Sequence, residues 1–126
     1  MNEWLCFIGR NVPSSKNSRI LTGKRVIKNK LCQEYTKWVE PLFQANYKKW
    51  KKQFDKAQYP LNVEFYFYRD SKRRFDYCNI QQIIADLMQD YQYIIDDDAA
   101  HFVPIFTGYE VVKKSNAGFK MRIINE

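Results

Sequence analysis

Residues 61–98 read LNVEFYFYRDSKRRFDYCNIQQIIADLMQDYQYIIDDD, and two periodicities meet in them. Leu61 to Tyr68 alternates apolar and polar, with Leu61, Val63, Phe65 and Phe67 on one face, the pattern of a half-buried strand. From Asn79 the period changes. Ile80, Ile83, Ile84, Leu87, Met88 and Tyr91 recur at three- and four-residue spacing, as a core-facing helix requires, and Asn79 is the expected N-cap. At about 100° per residue, Asn79, Gln82, Asp86 and Asp90 share the opposite face. Strand followed by helix predicts an α/β domain.

The same stretch is an acidic island. Residues 76–98 hold six of the 14 acidic residues and no Lys or Arg, in a chain of net charge +7. Residues 1–75 carry 17 Lys and Arg against six acids. Either Arg and Lys neutralise the island, or a divalent cation does, since hard cations such as Mg²⁺ take carboxylate oxygens. The adjacent Asp96, Asp97 and Asp98 repel one another, which raises the pKa of some of them unless a cation or donors intervene. Basic charge around a compact carboxylate cluster suits a metal-dependent enzyme acting on a phosphate polymer. The basic part displaces counterions from phosphates, and the acidic part holds the metal that activates water.

Working outward, residues 3–10 form a short apolar and aromatic run ending near Gly9, which reads as a first strand. From Asn11 to Lys30 the pattern is lost among Pro13, Gly23 and scattered Lys and Arg, predicting a long exposed basic loop. Such a loop is a phosphate-gripping arm or an ordinary solvated segment, and the charge bias favours the arm. Residues 31–58 carry a helical stripe including Tyr35, Val39 and Phe43, with a break expected between Trp38 and Leu42 because of Pro41. Residues 102–112 and 119–124 read as two strands of a hairpin around residues 114–118. The only histidine, His101, reads as a surface or strand residue rather than a base. Together these elements predict one small domain with a mixed sheet packed against helices.

At 126 residues the chain is one domain, and 45% hydrophobic residues predict that it folds. A sequence pI near 9.3 points to an anionic partner, nucleic acid first and an anionic membrane surface second. No apolar run approaches a membrane span, and the N-terminus lacks the layout of a signal peptide, so a cytoplasmic location is expected. Cys6, Cys32 and Cys78 are widely spaced and odd in number, which favours reduced thiols over a disulfide framework or zinc site.

The order of Pro13, Ser15, Lys16 and Asn17, a basic segment before Asp76-x-x-Asn79, then Asp86-Leu87, then Asp96-Asp97, resembles the RusA-like Holliday junction resolvases. The resemblance spans nearly the whole chain. It implies a RusA-like endodeoxyribonuclease that resolves four-way junctions or other branched DNA. That activity would depend on Mg²⁺, with Mn²⁺ as a possible substitute, and come from a homodimer in a bacterial host cell if the protein is phage- or prophage-encoded. It makes Asp76, Asp86, Asp96 and Asp97 the catalytic acids, with Asp76, Asp97, Asp86 and Asn79 holding the metal. Lys16, Asn17, Arg19, Lys24, Arg25, Arg73 and Arg74 are the expected DNA-binding residues. Two positions depart from the family pattern: Cys78 stands where an Asp is usual, and Gln82 where a catalytic Lys is usual. A soft sulfur does not suit Mg²⁺, and Gln82 supplies no positive charge. The alternative is therefore a branched-DNA-binding protein that keeps the resolvase fold without its chemistry.

Overall fold

The computed structural model describes residues 1–14, 19–22, 25–28 and 30–125, and of 19–22 and 25–28 only the backbone. In chain order the elements are β1 (Leu5–Ile8), β2 (Arg19–Thr22), β3 (Arg25–Lys28), α1 (Lys30–Phe54), β4 (Leu61–Arg69), α2 (Tyr77–Asp90), β5 (Phe102–Val111) and β6 (Gly118–Ile123). The main sheet runs β1-β6-β4-β5, and β2 with β3 makes a separate two-stranded ribbon. This is a small α/β domain with a four-stranded mixed sheet and two helices.

The alternation in β4 has the consequence its period dictates. Leu61, Val63, Phe65 and Phe67 are buried, while the residues between them stay partly exposed. The matching faces of β1 and β6 add Leu5, Phe7, Phe119 and Met121, and both helical stripes join the same core. Helix α1 contributes Tyr35, Val39, Phe43 and Trp50; α2 contributes Ile80, Ile84, Leu87 and Met88. Buried Gln53 ties the sheet to α1: it donates to the Glu3 carbonyl at 2.7 Å and accepts from the Ile123 N–H at 2.9 Å.

Four local expectations are corrected. Residues 102–111 and 118–123 do not form a hairpin, because β4 lies between them, parallel to β5 and antiparallel to β6. The β4-α2-β5 crossover places β5 on one side of β4, and the chain then crosses to its other side. Helix α1 runs unbroken through Pro41, since Val39 and Phe43, both fully buried, hold the turns on either side. The N-cap of α2 is Asp76, in an extended conformation, and Asn79 lies within the first turn. The segment 11–30 is not wholly loop, for it contains the β2-β3 ribbon. In β5, Pro104 is tolerated because that strand is at the sheet edge.

The end of α2 fixes where the acidic segment begins. Gln92 adopts a left-handed conformation, φ 63°. Its N–H donates to the Gln89 carbonyl, and that of Tyr93 to Met88, the paired bonds of a Schellman cap. Tyr93 then locks onto α1, accepting from Trp50 Nε1 at 2.9 Å and donating its hydroxyl to the Phe43 carbonyl at 2.5 Å. Glycine adopts this backbone conformation without a Cβ penalty, so Gln92→Gly is expected to raise stability by about 0.5–1 kcal/mol in urea unfolding.

Candidate nucleic-acid interface

Strand β4 ends at Arg69, and residues 70–76 carry the chain from the sheet to α2. Arg69 is held rather than solvated: its Nη1 donates to the Val12 carbonyl at 2.8 Å, and its guanidinium lies 4.6 Å from the Phe75 ring centroid. Burial pulls its pKa below the usual guanidinium value, with the Asp70 carboxylate opposing; an arginine remains charged all the same. The Asp70 N–H donates to Asn11 Oδ1 at 3.2 Å, fastening the segment after β1 to the segment after β4.

Between these segments and the start of α1 lies a cleft of about 760 Å³, lined by Asn11 to Ser14, Leu31, Arg69, Arg73, Arg74, Phe75, Asp76 and Asn79. It continues into a second hollow of about 610 Å³ that shares Arg69, Arg73 and Arg74 and adds Arg10 and Lys114. Three arginines thus border the same cleft as Asp76 and Asn79. The Asn79 amide donates to Asp76 Oδ2 at 3.2 Å, fixing the carboxylate at the mouth of α2.

The other acids lie farther along. Gln82 Nε2 donates to Asp86 Oδ1 at 3.2 Å, one turn away on the same face. The Asp97 N–H donates to Asp96 Oδ1 at 2.7 Å. The Asp97 carboxyl is pushed above the usual carboxylate range by partial desolvation first, then by its hydrogen bond to and repulsion from Asp96, and then by Asp86. Its electrostatic neighbours include Asp96 and Asp86. Helix rise alone separates Asp86 from Asp76 by about 15 Å.

The strand–helix–strand path therefore sets Asp76 before α2 and Asp97 after it, toward opposite ends of β4 in a single chain. In a parallel crossover the helix returns along the sheet, so residues before and after it diverge. Among the described residues, no group of three or more His, Cys, Asp or Glu side chains is placed to hold a metal ion. Cys78 is exposed and free, and His101 pairs with Asp98.

Of the expected DNA-binding residues, Arg73 and Arg74 line the cleft. Lys16, Asn17 and Lys24 lie outside the described residues; Arg19 and Arg25 belong to the ribbon, with their side chains outside the description. The sequence marks Arg69 to Arg74 as a basic loop for phosphate contacts, and Arg69 lines the cleft with Arg73 and Arg74; Arg10 and Lys114 were not singled out from the sequence. Among the described residues, no helix is long and apolar enough to cross a membrane. Comparison with protein-family models and with curated proteins finds no match to this chain.

Proposed function

We propose that the protein binds branched DNA in the arginine-lined cleft and acts on it as a Mg²⁺-dependent, structure-selective endodeoxyribonuclease of the RusA-like kind. The observation that carries this reading is the sharing of one cleft by Arg69, Arg73, Arg74, Asp76 and Asn79. Guanidinium groups recognise phosphate oxygens through paired N–H donors, and a carboxylate beside them is otherwise a liability for an anionic ligand.

Mg²⁺ is commonly held by one or two carboxylates together with substrate phosphates and water, rather than by a closed protein cage. Asp76 and Asn79 are hard oxygen donors and fit that mode; at the Asp96-Asp97 pair a cation would relieve the repulsion that raises the Asp97 pKa, with phosphate and water completing its shell. Bound there, Mg²⁺ supplies neutralisation of phosphate charge and activation of water. The protein's own part is to hold the backbone on Arg73 and Arg74, to keep the cleft wall fixed through Arg69, and to orient Asp76 through Asn79. A homodimer would present two such clefts to a symmetric junction.

A specific observation also favours binding without hydrolysis: Asp76 stands before α2 and the Asp96-Asp97 pair after it, and Gln82 donates to Asp86. Incubating the protein with a four-way junction, a flap and a linear duplex, with Mg²⁺ or Mn²⁺, decides between the readings. Cleavage of the branched substrates supports the nuclease; retention of the junction uncut supports the binder. Arg73→Ala is expected to weaken junction binding and lower the log–log salt slope by about one. An unchanged slope would place Arg73 away from the DNA.

A further inference from the structure

We propose that Tyr109, with Phe75, forms a stacking site for an unpaired nucleobase beside the phosphate cleft, so that the protein reads the loss of base stacking at a branch. The inference rests on the phosphate-cleft reading above. Tyr109 lies near the end of β5, the edge strand, and is 49% exposed. Its ring meets Phe75 at 4.8 Å and 87°, and Phe75 lines the cleft with the Arg69 guanidinium 4.6 Å from its centroid. The chain from Phe75 leads directly to Asp76. A base on Tyr109 would therefore neighbour the arginines and the carboxylate.

The angles decide what kind of ligand fits. Phe75 and Tyr77 approach Tyr109 at 87° and 72°, both edge-on arrangements. Among the described residues, no ring stacks parallel on Tyr109. Tyr77 is already stacked on Phe106, at 4.9 Å and 11°. Phe75 and Tyr77 brace Tyr109, and its 49% exposure leaves part of the ring open to a flat partner. Nucleobases are flat, and every base has a π-face, so stacking of this kind tolerates sequence. Inside a linear duplex the base faces are covered by their neighbours, whereas at a branch the cost of unstacking is already reduced. Discrimination of branched from linear DNA follows without reading any base edge.

The test uses the intact chain in EDTA, so that no cleavage intervenes, with 2-aminopurine placed at the branch of a four-way junction and within a linear duplex. The expected result is a fluorescence change at the branch on binding, kept by Tyr109→Phe and lost in Tyr109→Ala. Tyr109→Ala should bind the junction about 5- to 150-fold more weakly, with its affinity for linear duplex and its salt slope unchanged at a temperature where the variant is fully folded. An unaltered fluorescence change and junction affinity in Tyr109→Ala would overturn the proposal. So would an equal loss on linear duplex, or a change in oligomeric mass, which would make Tyr109 part of a contact between copies. Arg73→Ala in parallel separates the two readings: a retained salt slope there sinks the phosphate cleft, whereas a reduced slope with no Tyr109 signal sinks only the stacking site.

Discussion

Adding one methyl group at Gly118 is expected to cost the fold about 3–5 kcal/mol, a large part of a typical domain's stability. Two effects combine. Gly118 sits at φ +148°, where an L side chain is strained, and a Cβ there would lie 2.1 Å from the Phe7 carbonyl oxygen and 3.0 Å from Ile8 Cα. These are backbone atoms of the paired strand β1, so no rotamer change relieves the overlap. Gly108 provides the comparison: φ is +136°, but its Cβ would meet only the Tyr66 ring at 3.3 Å. Gly108→Ala should therefore cost about 1–2 kcal/mol, mainly backbone strain. Because β1 leads into residues 11–14, which wall the cleft, Gly118→Ala should also weaken DNA binding where Gly108→Ala does not. Thermal unfolding and junction titration of both variants check the pair; equal destabilisation would show that strain, not the clash with β1, dominates.

The strand at 61–68 and the helix after Asp76 were legible because one face of each is buried, and burial of one face imposes a period on the sequence. Leu61, Val63, Phe65 and Phe67 all lie in the core, as do Ile80, Ile83, Ile84, Leu87 and Met88. Strand pairing leaves no such trace. Residues 112–117 are short enough for a hairpin, and nothing local records that β4 stands between β5 and β6. Pro41 misled for a related reason, since a local breaker was outweighed by packing at Val39 and Phe43 that only the tertiary fold supplies. The site followed the same division. Asn79, Gln82 and Asp86 share a helix face as their spacing predicts, and the Asn79–Asp76 and Gln82–Asp86 hydrogen bonds run along it. The distance between Asp76 and the Asp96-Asp97 pair depends on the direction of β5 relative to β4, and so was not readable from spacing.

Asp76→Asn is expected to reduce cleavage of a four-way junction by about a thousandfold or more, because several kcal/mol of metal-dependent stabilisation would be lost. Junction binding should stay intact or tighten, since a negative charge facing phosphate has been removed. Asp97→Asn probes the second set by a different signature. Its folded-state carboxyl pKa is raised, so the ionised form costs stability at neutral pH. That cost is present above the folded pKa and fades as pH falls through it towards the unfolded value near 3.9. Without metal, Asp97→Asn should melt above the parent at pH 7, and the two should converge as the parent's carboxyl protonates. With Mg²⁺ the order should reverse: the parent gains stability by mass action, about 2.7 kcal/mol at a hundred times the dissociation constant, and Asp97→Asn gains less. Cys78→Asp places a hard oxygen on an exposed position two residues from Asp76. It should enlarge the Mg²⁺-induced rise, measured against its own metal-free melting point because a first-turn carboxylate also favours the helix dipole. If neither the parent nor Cys78→Asp gains stability with Mg²⁺ and no branched substrate is cut, the acids hold no metal, and the nuclease reading fails.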